Sequence, residues 1–181
     1  IGISAEENGP RRLYSICSGE NDNEVQILFN VIEEGYLTPR LSDLEEGEYI
    51  WINEPRGEFL YDPQPAFWIA SGTGIAPFYS MLKSGLFDQK ILIHGERYLE
   101  RFYFYDEFQK TLGNNYFRCC SREKDHGIFH GRVTAYLQSF SSLPLDHKYY
   151  LCGRAEMVVE SRDILIEHNI PFNQIFSEIY F

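Results

Sequence analysis

From residue 66 onward, short apolar runs alternate with stretches whose apolar residues recur at helical spacing. The runs "AFWIA", "KILIHG", "YFRCCS", "KYYLCG" and "QIFSEIYF" have the length and the β-branched or aromatic content of buried strands. Between them "PFYSMLKSG", "YFYDEFQKTL", "RVTAYLQSF" and "AEMVVESRDILIEH" read as helices. Such alternation predicts a doubly wound α/β unit on a mostly parallel sheet, in a strand order 3-2-1-4-5 that makes the first and fourth strands neighbours. Before residue 66 the pattern changes. "RRLYSICS", "EVQILFNVI" and "GEYIWIN" are short runs bounded by Gly, Asn, Asp and Pro, which predicts antiparallel strands. One short helix is expected at "TPRLSDL", with Thr38 as its cap and Pro39 at its first position. The opening "IGIS" looks like the tail of a strand, so the expected β-unit lacks its first strands and is too small for a closed barrel.

"LYDPQPAF" separates the two patterns, because Pro63 and Pro65 forbid regular pairing there. Two domains are therefore expected, residues 1–62 and residues 63–181. Charge supports the division: residues 1–62 hold 4 basic and 14 acidic residues, a net charge of -10, while the remainder is close to neutral. A net charge of -11 over 181 residues disfavours general affinity for nucleic acid or anionic membrane. No run is long enough for a membrane span and no N-terminal signal is present, so a cytoplasmic location and a monomer are expected. Cys17, Cys119, Cys120 and Cys152 show neither C-x-x-C spacing nor an iron–sulfur pattern. Reduced thiols and no metal are expected, with any cluster carried by a partner.

Ligands of doubly wound sheets bind beyond the carboxyl ends of the strands, where the winding reverses. "SGTGIAP" follows the first such strand, and its glycines allow a ligand phosphate to approach the backbone at a helix start. The spacing is not G-x-G-x-x-G, and a tight turn explains it equally well. "LCG" closes the fourth strand, so Gly72, Thr73, Gly74, Cys152 and Gly153 are expected to face one site; Cys152 also reads as a buried, inert thiol. Arg97, Arg122 and Arg132, with Ser121, follow the second and third strands. Guanidinium forks there suit the 2′-phosphate of NADP, although each alone also reads as a solvated surface charge. Glu96 beside Arg97 keeps NAD open, as an acid at that position suits a ribose 2′-hydroxyl. In "RLYS", strand period puts Arg12 and Tyr14 on one face and Ser15 on the other.

Taken in order, "RLYS", "GYLTPRL", "GEYIWINEPRGEF", "ASGTGIAPF", "ILIHGER", "SRE", "GRVT", "LCG" and "EIYF" resemble the ferredoxin-NADP reductase family across nearly the whole chain. That resemblance implies a partial antiparallel β-barrel that binds FAD, followed by an α/β domain that binds NADP(H). It places Arg12 on the FAD pyrophosphate, with Leu13 in the same motif, Tyr14 against the flavin ring and Ser15 near flavin N5. Gly35 and Thr38 match a second pyrophosphate-binding turn. Thr73, within Gly72 to Pro77, together with Cys152 and Gly153, would line the nicotinamide and its pyrophosphate. Arg97, Arg122, Arg132 and Ser121 would take the 2′-phosphate. Glu178 and Tyr180 match a terminal carboxylate and a ring that shields the flavin, and the role of Phe181 is open.

The activity implied is hydride transfer between NADP(H) and FAD, followed by single-electron exchange with ferredoxin or flavodoxin. Ser15, Cys152, Glu178 and Tyr180 are the expected catalytic group. The acidic first unit departs from the pattern, since acidic carriers dock on basic faces. Two other readings stay open: an NAD(P)H-dependent reductase feeding free flavin or an oxygenase, and a non-catalytic nucleotide-binding module.

Overall fold

The computed structural model describes residues 1–180; Phe181 lies outside the described residues. In the first unit β1 (Gly2–Ser4), β2 (Arg12–Leu13) and β3 (Trp51–Ile52) form a small antiparallel sheet in the order β2-β1-β3. Its register pairs Gly2 with Leu13 and Ile3 with Ile52. A five-residue helix, α1 (Thr38–Ser42), completes the regular structure there.

The β-pattern of this unit is realised only in fragments. Residues 24–32 form no strand and contribute one isolated bridge, Ile16 to Ile27, while "GEYIWIN" pairs only at Trp51 and Ile52. β-propensity yields a ladder only where a neighbouring backbone offers its N–H and C=O groups, and three short pieces supply few. Val31, Ile32 and Tyr49 stay exposed accordingly. The expected cap is also corrected. Thr38 begins α1 without capping it, and its Oγ1 instead accepts the Ile32 N–H at 2.9 Å.

The second unit follows its pattern closely. Its elements are β4 (Ala66–Ser71), α2 (Ala76–Lys83), β5 (Lys90–Glu96), α3 (Tyr105–Leu112), β6 (Tyr116–Cys120), β7 (Phe129–His130), α4 (Val133–Gln138), β8 (Lys148–Arg154), α5 (Ala155–Glu167) and β9 (Ile175–Tyr180). They make a parallel sheet in the order β7-β6-β5-β4-β8-β9. Apart from β7, a two-residue edge strand where a loop was expected, this is the 3-2-1-4-5 order.

Both faces of the sheet are covered, which is why the strands read as continuous apolar runs. Trp68, Ala70 and Leu92 pack under α2 and α3, while Phe67, Ile69 and Ile93 pack under α4 and α5. The linker is tied down from the sheet side. Lys148 pairs with Asp62, and the buried Lys90 donates from Nζ to the carbonyls of Gln64 and Asp88 at 2.8 and 2.9 Å. No helix among the described residues is long and apolar enough to cross a membrane.

Candidate nucleotide and flavin site

The winding reverses between β4 and β8, so their carboxyl ends flank the crevice. Gly72 leaves β4 with φ +58°, opening a turn of 3₁₀ helix over Gly72–Ile75 that leads into α2. Gly74 lies so close to the end of β8 that a Cβ on it would fall 2.5 Å from the Cys152 carbonyl carbon and 2.6 Å from the Gly153 Cα. Gly153 has φ +144°, and a Cβ there would fall 2.7 Å from the Ser71 carbonyl oxygen. The two glycine turns therefore interlock, as the expected strand order requires. The Ser71 hydroxyl, buried at this junction, has no hydrogen-bond partner among the described residues.

Immediately beside it the expected catalytic group converges. β9 runs parallel to β8 with Glu178 opposite Cys152 and Tyr180 opposite Arg154. From the first unit, 163 residues earlier in the chain, the Ser15 hydroxyl donates to Glu178 Oε1 at 3.2 Å. Tyr180 lies beside Cys152 and Ser15, yet among the described residues its buried hydroxyl has no partner with hydrogen-bond geometry. Burial first, and the nearby Cys152 second, push its ionisation far upward. Cys152 is wholly buried, and burial followed by the Glu178 carboxylate raises its thiol well above the usual range. It is a neutral, buried thiol behind the site, lining neither recess, rather than a nucleophile.

A groove of about 650 Å³ leads from this junction across the sheet edge. Gly72, Thr73, Gly153 and Tyr180 line one end, and Arg97, Ser121, Arg122 and Arg132 line the rest. Backbone bonds bring the two arginine-bearing loops together: the Arg122 N–H donates to the Arg97 carbonyl at 3.1 Å, and Ser121 N–H to that of Glu96 at 3.0 Å. Among the described residues no carboxylate pairs with Arg97, Arg122 or Arg132. Guanidinium groups without an ion-pair partner, in a groove that Glu96, Glu156 and Glu160 also line, keep their donors free for an anion.

The Ser15–Glu178 pair borders a second recess of about 820 Å³. Tyr14, Ser15, Pro77 and Glu178 line it, together with the Pro55–Tyr61 segment. A planar ring in this recess would have the Tyr14 side chain on its wall and the Ser15–Glu178 pair at its edge. The unspent hydroxyls of Tyr180 and Ser71 fit the same conclusion, since buried polar atoms normally find partners. Arg12, Leu13, Gly35 and Thr38 line neither recess. Arg12 and Leu13 are exposed on β2, and Gly35 closes a tight turn in which its N–H donates to the Ile32 carbonyl at 2.8 Å.

Several groove residues escaped the sequence reading. Arg154 directly follows "LCG", and the same strand-end argument reaches it. Arg101, Tyr103 and Asn30 had no local signal. Tyr103 donates to Asn30 Oδ1 at 3.2 Å across 73 residues, so only the fold brings them to the groove.

Comparison with known proteins agrees with this geometry. Residues 68–163 match the oxidoreductase NAD-binding domain family. The chain is 25% identical over 195 residues to a ferredoxin-NADP reductase of Azotobacter vinelandii, covering 91% of this chain and 75% of that one. It is 28% identical over 181 residues to a flavodoxin/ferredoxin-NADP reductase of Buchnera aphidicola, covering 87% and 72%. Among solved structures, an Amycolatopsis cytochrome P450 reductase superposes with a TM-score of 0.84 at 21% identity, covering 98% of this chain and 59% of that one. A Plasmodium falciparum ferredoxin-NADP+ reductase in complex with 2'P-AMP gives 0.77 at 22%, covering 99% and 81%.

Proposed function

Because the chain belongs to the oxidoreductase NAD-binding domain family, as a member of its ferredoxin-NADP reductase group, we propose that it is a flavoprotein reductase passing electrons between NADP(H) and a one-electron carrier through FAD. The observation that supports this reading is that Ser15, Glu178, Cys152 and Tyr180 lie together, with Tyr180 lining the arginine-bearing groove and Ser15 and Glu178 lining the second recess. Nicotinamide and flavin, when bound, supply hydride transfer and the one-electron steps; the chain supplies binding, orientation and exclusion of water.

Residues 63–181 form the nucleotide half in this proposal. Arg97, Arg122 and Arg132, with Ser121, hold the 2′-phosphate, and the Gly72–Thr73–Gly74 turn takes the pyrophosphate against backbone amides. Gly153, lacking a Cβ, lets the end of β8 pack against Ser71 and so shapes the end of the groove. Residues 1–62 form the flavin half. Tyr14 walls the ring, while exposed Arg12 and the Gly35–Thr38 turn take the pyrophosphate. Ser15 and Glu178 orient the reacting edge, Tyr180 covers the ring, and Cys152 supports the wall between β8 and β9. The carrier in this reading is ferredoxin or flavodoxin. A carrier with a basic docking face is the second reading, favoured by the net -10 of residues 1–62.

The test is a visible spectrum of the purified protein, with FAD added where needed, followed by anaerobic NADPH. Bleaching of the oxidised-flavin band supports the proposal. Protein that stays colourless with added FAD refutes the flavin half.

A further inference from the structure

We infer that Arg101 binds the diphosphate linkage of the coenzyme, supplying the positive charge that the Gly72–Ile75 turn lacks, and that the chain presents it on a strap pinned at both ends. This rests on the nucleotide reading above and adds a binding residue to the same groove.

The strap is residues 98–104, between β5 and α3, with a turn of 3₁₀ helix over Leu99–Arg101. At its start the Leu99 N–H donates to Glu123 Oε2 at 2.6 Å, which ties it to the loop that carries Arg122. At its end Phe104 lies flat against Tyr79 of α2, with ring centroids 3.7 Å apart and 2° between the planes. Phe104 has φ +59°, a strained conformation for an aromatic residue that the surrounding packing must hold. Between the two anchors Phe102 is buried, edge-on to His94 at 5.1 Å. Its neighbours Arg101 and Tyr103 face outward instead, and both line the groove. The Tyr103 hydroxyl donates to Asn30 Oδ1, so the first unit holds the strap as well.

These anchors set where Arg101 stands. One belongs to the arginine-bearing loops proposed for the 2′-phosphate, and the other is α2, the helix that the Gly72–Ile75 turn opens. A dinucleotide laid from those loops to that turn has its diphosphate along the stretch between them. The turn offers backbone N–H donors but contains no basic residue. Of the groove arginines, Arg101 and Arg154 have no part in the 2′-phosphate cluster. Arg154 stands opposite Tyr180 at the end of β8, and the helix that follows it brings Glu156 and Glu160 to the groove. Arg101 is exposed and has no carboxylate partner among the described residues. Its guanidinium sits 5.9 Å from the Tyr98 ring, a contact that leaves the donors at its edge free for phosphate oxygens.

Isothermal titration of the intact protein with 2′-AMP and with 2′-phospho-ADP-ribose tests this without any turnover. Both ligands carry the 2′-phosphate, and only the second carries the diphosphate. Wild type is expected to bind both. Arg101→Gln, a change at an exposed side chain, should weaken 2′-phospho-ADP-ribose by roughly tenfold, the scale of a hydrogen bond to a charged group, and leave 2′-AMP within about twofold. An unchanged affinity for 2′-phospho-ADP-ribose, or equal weakening of both ligands, overturns the inference while leaving the nucleotide site intact. Failure of wild type to bind either ligand overturns the nucleotide reading, and this inference with it. Thermal unfolding of the variant confirms that the fold is kept.

Discussion

Replacing Gly74 by Ala adds one methyl group where backbone, not a flexible side chain, occupies the space. The new Cβ would stand 2.5 Å from the Cys152 carbonyl carbon and 2.6 Å from the Gly153 Cα, whereas ordinary contact begins at 3.4 Å. The Cys152 carbonyl oxygen lies closer still, so the Gly72–Ile75 turn and the end of β8 must then separate by roughly 1 Å. Overpacking of this kind costs about 2–3 kcal/mol. In a chain of this length that lowers Tm by about 4–12 °C. The displaced atoms are those proposed to cradle the pyrophosphate and nicotinamide, and a misplacement near 1 Å lowers turnover by about 100-fold.

Gly72 separates sterics from backbone conformation. No atom lies within 4 Å of a Cβ there, and its φ of +58° is a conformation that Asn tolerates. Gly72→Asn should therefore unfold close to wild type, while Gly74→Asn should not. Thermal unfolding and titration with 2′,5′-ADP read the two effects. A Gly74→Ala protein that unfolds within about 2 °C of wild type and binds the nucleotide equally well would refute the interlocked-turn argument.

Glu178→Gln removes the charge on the acceptor, and Ser15→Ala removes the donor, of the hydrogen bond that joins that carboxylate to the first unit among the described residues; stopped-flow reduction of bound flavin by NADPH should slow by roughly 10- to 100-fold. A rate within twofold of wild type (about 2-fold, under 0.5 kcal/mol) would remove both residues from the reacting group. The Lys148 ammonium holds the Asp62 carboxyl below the usual carboxylate range. A depressed carboxyl stabilises fully above its unfolded pKa of about 3.9 and loses that contribution as pH falls through the lower folded value. The Tm difference between wild type and Asp62→Asn should accordingly shrink as pH drops below about 4. All four cysteines are free and buried, and burial raises Cys119 to about 12, so a thiol reagent should label none of them until the protein unfolds. Rapid native labelling of Cys152 would contradict its placement as a neutral, buried thiol.

Much of the second unit was legible because its signals are local. A parallel strand buried on both faces must be apolar along its whole length, and the helices between must show one apolar stripe, so "AFWIA" and "AEMVVESRDILIEH" announced β4 and α5 to within a residue or so. The first unit resisted the same reasoning. "EVQILFNVI" has strand composition, but pairing depends on a neighbour that composition does not supply, and only Ile27 found one. Thr38 had the right residue type for a cap, yet Leu37 takes the cap position and the Thr38 hydroxyl accepts the Ile32 N–H instead.

What the sequence determined by itself was the order of elements and the chemistry at each strand end: glycines after β4, arginines after β5 and β6, a carboxylate and a phenol at the close of β9. Local spacing is enough for that, since each element is set by neighbours a few residues away. Only the tertiary structure decided which ends share a site. Ser15 meets Glu178, Gly74 touches Cys152, Tyr103 reaches Asn30, and Glu96 turns one oxygen towards His94 while remaining at the groove. Such contacts depend on parallel register and on the reversal between β4 and β8, and register is fixed by packing summed over the whole sheet rather than by any segment of the chain.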